Sequence, residues 1–271
     1  MDKEMVKVGA VSYHPRVVTI WESFREHFAR QEVSSDYVLY SNYESLVEAT
    51  LTGEVDVAWN ANTAFVALDN EVDGKTKILG MRDIDADFAT VIVAPKENGV
   101  AEALEIAGRR LAVGARDCGH STILPIHFLA EQGLNADSDY ELLRFESGLG
   151  KHGDTGQAEL DAIRAVAAGD AEAAALGDVT WELFRSQGMS ETAGLQIIWR
   201  SPTFYHCNFT ALDSLDDELA DRWSQALLAM SYDDSQMRDA MELEGVRRWL
   251  PGDRAGYESL SEAMKHQGYL S

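Results

Sequence analysis

Two stretches decide the reading of this chain: Leu46–Ala58, "LVEATLTGEVDVA", and Ala162–Ala174, "AIRAVAAGDAEAA". Each runs as an amphipathic helix that stops at a glycine, Gly53 or Gly169, and re-enters as an acidic–small–acidic–small strand start. Glycine after a helix supplies the left-handed residue that ends it. The unit occurs twice, which indicates two similarly built α/β lobes rather than a solenoid.

Working outward, the first copy sits in a β-α-β-α-β series. "VKVGAVSY" is a strand closed by His14–Pro15, and "VVTIWESFREHFARQ" carries Val17, Ile20, Trp21, Phe24 and Phe28 at helical spacing. "DYVLYSN" and "EVDVAWN" are the next strands. This alternation implies a parallel sheet with right-handed crossovers. The second copy sits in a matching series: strand "RRLAVG", helix "STILPIHFLAEQG", strand "YELLRFE", helix "ELDAIRAVAAG", strand "DAEAAALGD". "VIVAPKENG" reads as the crossover into this lobe and "IIWRSP" as the return. "DDELADRWSQALLAM", "SQMRDAMELEG" and "YESLSEAMKHQG" then read as helices packing back on the first lobe. The expected organisation is lobe 1 from residues 1–92 and 203–271 and lobe 2 from 93–202, with a ligand cleft between them.

Bulk properties narrow the function. Twenty-three basic residues against 46 acidic ones give a net charge of −23 in 271 residues. Such a surface repels nucleic acid and anionic membranes, and it reads as a solubility feature rather than a partner face. Apolar residues make up 45% of the chain, enough for real cores, and no run approaches a membrane span. The opening "MDKEMVKVGAVSY" lacks the layout of a secretory signal. The expected location is cytoplasmic as given, or periplasmic if a leader was removed. Cys118 and Cys207 read as free thiols.

Ligands of open α/β sheets sit beyond the carboxyl ends of the strands. That rule selects Tyr13, His14 and Arg16 after the first strand, Tyr43 and Asn60 in the first lobe, and "RDCGHSTILP", Arg116–Pro125, in the second. In that last stretch Gly119 allows close backbone approach, while Ser121 and Thr122 stand at a helix start, where free N–H groups and the macrodipole favour an anion; the plainer alternative is an ordinary N-cap. "GLGKHGDTG" offers His152 as an anion donor or acid/base. Asp178 suits a ligand amine or hydroxyl, or serves as a helix cap. Cys118, His120, His152, His206 and Cys207 form a set of soft or imidazole groups that read as a Cys/His pair or a metal site, although no local zinc spacing is present. The metal is unknown, and no cofactor is expected.

"YESLVEATLTGEVDVAWNANTAFV", "GARDCGHSTILPIHFLAEQGL", "GKHGDTGQAELDAIRAVAAGDAEAAALGD" and "IIWRSPTFY" together resemble the phosphate/phosphite/phosphonate-binding proteins of ABC transporters. The resemblance implies a two-lobed type 2 periplasmic-binding-protein clamshell, each lobe a mainly parallel sheet flanked by helices, joined by two crossover strands. It implies a hinge-closing binder of a small oxyanion, phosphonate-like or carboxylate-like, delivering to a transporter permease. Tyr43, Ser121, Thr122, His152 and Asp178 fall at that family's ligand-contact positions, and Tyr205 borders them. The chain departs from the family in its start, in the Cys–Gly–His–Ser–Thr loop and in Tyr205–His206–Cys207–Asn208. Cytoplasmic enzymes of similar fold, among them aryl sulfinate desulfinases and dihydroxyphthalate decarboxylases, define the alternative. In it, Cys118, His120, His152, His206 and Cys207 perform lyase, decarboxylase or desulfinase chemistry on a small acid.

Overall fold

The computed structural model describes residues 5–97 and 99–270. Residues 1–4, where the reading of the chain start partly falls, and Asn98 within "VIVAPKENG" lie outside them. The chain divides into two compact units, Met1–Asp87 with Tyr205–Glu258, and Phe88–Phe204 with Ser259–Ser271.

The first unit is built on a six-stranded sheet of order β11-β4-β10-β3-β1-β2. Its strands are β1 (Val6–Val11), β2 (Ser35–Tyr40), β3 (Val57–Asn60), β4 (Thr76–Arg82), β10 (Asn208–Leu212) and β11 (Trp249–Leu250). β1 pairs in parallel with β2 and β3. β10, arriving after the excursion into the other unit, inserts antiparallel between β3 and β4. Helices α1 (Arg16–Arg30), α2 (Tyr43–Leu51), α3 (Asn62–Glu71), α7 (Asp217–Leu228) and α8 (Ser235–Glu244) complete it. The second unit has a sheet of order β7-β6-β8-β5-β9, from β5 (Thr90–Pro95), β6 (Arg110–Val113), β7 (Glu141–Arg144), β8 (Ala173–Gly177) and β9 (Leu195–Arg200). Its parallel core is β7-β6-β8, and β5 pairs antiparallel with both β8 and β9. Helices α4 (Leu124–Glu131), α5 (Gln157–Ala168) and α6 (Asp178–Ser186) accompany it.

The repeated stretches occupy equivalent places. Gly53 and Gly169 both adopt left-handed backbone, at φ 73° and 82°. β3 then lies parallel to β1, and β8 parallel to β6. The acidic residue before each strand does the same work twice. Asp56 Oδ2 accepts from Lys7 N at 2.7 Å, and Glu172 Oε2 accepts from Arg110 N at 2.9 Å. The amides of Asp56 and Glu172 donate back to the carbonyls of the same two residues. The acidic pattern of the repeat is thus a register lock between parallel strands.

The cores differ. That of the first unit is aromatic: Trp223, fully buried, stacks on Phe28 with centroids 4.8 Å apart and meets Phe209 edge-on at 4.9 Å. In the second unit the sheet is covered on both faces. Ala174 and Leu176 of β8 face one cluster with Ile163 and Trp181, and Ala173 and Ala175 face another with Ile106 and Leu129. Burial on both faces explains why β8 reads as an unbroken apolar run.

The unit boundaries fall at Asp87/Phe88 and Phe204/Tyr205 rather than near 92 and 203, because Phe204 N donates to Phe88 O and β5 belongs wholly to the second sheet. The last helix, α9 (Glu258–His266), also departs from expectation. From Ser259 onward it groups with the second unit. There Gln267 Nε2 donates to Ile123 O and the Tyr269 hydroxyl to Arg116 O.

Truncating Trp223 to Ala removes the centre of the aromatic core. Urea unfolding is expected to show a loss of about 3–5 kcal/mol, the range for large-to-small changes at a fully packed site.

Candidate functional site

In the second unit "RDCGHSTILP" leaves the end of β6 and forms a π-helical turn, Gly119–Ile123, that runs directly into α4. Pro125 sits in the first turn of α4, where no intrahelical N–H bond is lost. The turn presses against β6: a Cβ on Gly114 would lie 2.1 Å from Ser121 Oγ, so only glycine admits this approach. Ser121 and Thr122 are fully buried, and neither hydroxyl has a hydrogen-bond partner among the described residues. A buried hydroxyl left unsatisfied costs about 1–3 kcal/mol, so two side by side are an unusual feature of this turn.

Behind them lies a charged core. His120 Nε2 is 3.4 Å from Cys118 Sγ and 3.4 Å from Glu159 Oε1. Glu159 is itself 1% exposed and accepts from Gly177 N at 2.8 Å and from the Thr180 hydroxyl at 3.2 Å. Burial opposes a charged His120, but Cys118 and Glu159 outweigh it and hold the imidazole pKa well above its ordinary value. The Thr90 hydroxyl donates to His120 O at 2.6 Å, fixing the main chain. Glycine again makes room: a Cβ on Gly153, at φ 98°, would fall 2.6 Å from the His120 ring and 2.7 Å from Cys118 Sγ. His152, beside it, is buried with φ 50° and places Nε2 3.7 Å from Asp117 Oδ2, which also accepts from Gly150 N at 2.6 Å. Asp117 therefore ties the glycine loop to the π-turn. Asp178 takes up protein partners: its Oδ1 accepts from Ala89 N and Val179 N, and its Oδ2 pairs with Arg200.

The first unit carries the remaining candidates. His14 is exposed and its Nδ1 accepts from Arg16 N, while the Arg16 guanidinium lies 5.6 Å over the Tyr13 ring. Tyr43 is buried at the first position of α2, where Asn42 caps by accepting from Ser45 N. Asn60, at the end of β3, is fully buried, and neither its side-chain nitrogen nor its oxygen has a partner among the described residues. The Tyr205 hydroxyl donates to Asp253 Oδ2 at 3.1 Å. His206 and Cys207 lie against Asp85, which Arg82 grips with Nε and Nη2 at 2.6 and 2.9 Å. Burial would raise the Asp85 pKa, but Arg82 and His206 bring it down to about 2.

The five Cys and His candidates thus divide, with Cys118, His120 and His152 in the second unit and His206 and Cys207 in the first. Neither thiol is in a disulfide, and both are buried. Sequence reasoning missed Glu159, Asp85 and Arg82. Glu159 left a signal: it falls on the same helical stripe as Ala162, Ile163 and Val166, a carboxylate on an apolar face. Asp85 sits in a short acidic turn that carries no periodic pattern.

The raised His120 pKa means that folding of the second unit takes up a proton. This stabilisation is complete below the unfolded imidazole value of about 6.5 and is lost as pH climbs through the folded value. In an NMR titration the His120 ring is expected to stay protonated at pH values where exposed histidines have titrated. Glu159→Gln removes one raising charge and is expected to move its titration downward; an unmoved midpoint contradicts the pairing.

Residues 9–257 match the family described as ABC transporter, phosphonate, periplasmic substrate-binding protein. Among solved structures, PhnD1 from Prochlorococcus marinus (MIT 9301) in complex with methylphosphonate aligns with a TM-score of 0.76 at 18% identity, covering 99% of this chain and all of the other. XAC2383 from Xanthomonas citri bound to ATP aligns with a TM-score of 0.77 at 16% identity, covering 97% of each. The periplasmic aliphatic sulphonate binding protein SsuA from Escherichia coli aligns with a TM-score of 0.65 at 14% identity, covering 98% and 94%. These likenesses show the fold, that of the type 2 periplasmic binding proteins. Among the described residues no helix is long and apolar enough to cross a membrane. With the family match extending over most of its length, the chain belongs to the phosphonate periplasmic substrate-binding proteins of ABC transporters.

Proposed function

We propose that the chain captures a small tetrahedral or carboxylate-type oxyanion, phosphonate-like or sulfonate-like first, for an ABC transporter permease. The observation that carries this reading is the pair of buried hydroxyls on Ser121 and Thr122, at a helix start and without partners among the described residues. A helix opening offers N–H groups that lack intrahelical acceptors and the positive end of the macrodipole. An oxyanion placed there satisfies both hydroxyls and several amides. The family description and the methylphosphonate and sulphonate named for two of the similar structures favour the same ligand class. His152, in the loop that Asp117 ties to the turn, is the further donor we assign to the ligand in this unit.

Compartment follows the same reading. The family is described as periplasmic, and we place the chain on that side of the membrane in preference to the cytoplasm; fractionation of producing cells separates the two.

The ligand test is calorimetry with methylphosphonate, methanesulfonate, phosphate and acetate. Saturable binding of at least one is expected. Hydrogen bonds to a charged group contribute about 1.5–3 kcal/mol each, so Ser121→Ala and Thr122→Ala are each expected to weaken binding by roughly 10- to 150-fold. Absence of heat with all four anions, or unchanged affinity in both variants, overturns the assignment.

A further inference from the structure

The first unit holds a donor set that anion capture leaves unused. Asp85, His206 and Cys207 are 0%, 5% and 2% exposed. His206 Nδ1 lies 3.0 Å from Cys207 Sγ and 3.4 Å from Asp85 Oδ1, and the three ligand atoms all lie within 4.8 Å of one another. Donors sharing a tetrahedral ion at zinc-type bond lengths of about 2.0–2.3 Å stand roughly 3.3–3.6 Å apart. The two distances from His206 Nδ1, 3.0 and 3.4 Å, are close to that spacing.

The surroundings suit a cation. The Asp85 carboxylate is oriented by Arg82, as ligating carboxylates are by their outer-shell partners. Arg82 Nη1 also holds Glu244, through its Oε1 at 3.2 Å and its main-chain oxygen at 2.7 Å. Asp85, Glu244 and a Cys207 thiolate carry three negative charges against one on Arg82, so a divalent ion makes the buried group neutral. The main chain is set as well, with His206 N donating to Asp85 O at 3.0 Å. Thiolate, imidazole and carboxylate together select a borderline ion of zinc type over magnesium or calcium.

We propose that Asp85, His206 and Cys207 bind one divalent ion of the zinc class, with water in the fourth position. The site is separate in sequence and unit from Ser121 and Thr122, so the two assignments stand or fall independently.

The probe is Co²⁺, titrated into the full chain after chelator treatment under reducing conditions. The expected result is one Co²⁺ per chain, with a thiolate-to-cobalt charge-transfer band and the intense visible bands of tetrahedral cobalt, all displaced by Zn²⁺. Cys207→Ser is expected to abolish the charge-transfer band and weaken binding about tenfold or more; Cys118→Ser is expected to keep both. A wild-type titration with no charge-transfer band overturns the proposal even if the Cys207 variant fails to fold. So does a band that survives Cys207→Ser and disappears in Cys118→Ser. Methylphosphonate calorimetry on the same preparations reads the anion site separately.

Discussion

Parallel strands cannot be joined by a tight turn, and that constraint shapes everything else in this chain. Each step from one parallel strand to the next needs a crossover, here a helix, and the helix must stop sharply enough to feed a strand back beside its predecessor. Gly53 and Gly169 provide the stop, and Asp56 and Glu172 provide the register by bonding the main chain of Lys7 and Arg110. Once the strands run parallel, their carboxyl ends all open on one edge. The loops leaving that edge are free to carry chemistry because the sheet holds their roots. The π-turn after β6 is one such loop; its hydroxyls lack partners among the described residues, while Gly114, Thr90 and Gln267 fix the backbone around them.

What could be read from sequence followed physical contrast. α1 and α5 alternate buried and exposed residues at helical spacing and were legible, as was β8, an apolar run bounded by turn signals. α3 was not: Asn62 through Val66 are all buried, so its first half shows no polar face against which a period could register. β10 was missed because its five residues owe their place to the return of the chain into the first sheet, a long-range event with no local signature. Around the candidate site, Ser121, Thr122 and His152 could be singled out as polar side chains at a strand end and in a glycine loop. Their supports could not, except Glu159 on its apolar stripe.

Each unit contains a buried thiol–imidazole pair, and the neighbours make them different groups. His120 shares one ring nitrogen between Cys118 and Glu159, and Glu159 is already committed to Gly177 and Thr180. The arrangement holds a proton in place, and Gly153 packs too closely against both side chains for anything larger than hydrogen to enter there. The enzyme alternative requires a thiolate open to substrate, whereas Cys118 is fully buried.

His206 faces Cys207 and Asp85 through Nδ1, and the carboxylate there arrives with its own counter-charge, Arg82. The buried Asp–Arg pair sets Asp85 beside an imidazole and a thiol, so carboxylate, nitrogen and sulfur donors converge there. Removing Arg82 would strand Asp85 and Glu244 together in the core, a penalty far larger than a surface pair could cause. The same arginine that makes two buried carboxylates tolerable thus keeps one of them aimed at soft donors. The two pairs, nearly identical in composition, diverge because one has a committed glutamate beside it and the other an aspartate already neutralised by arginine.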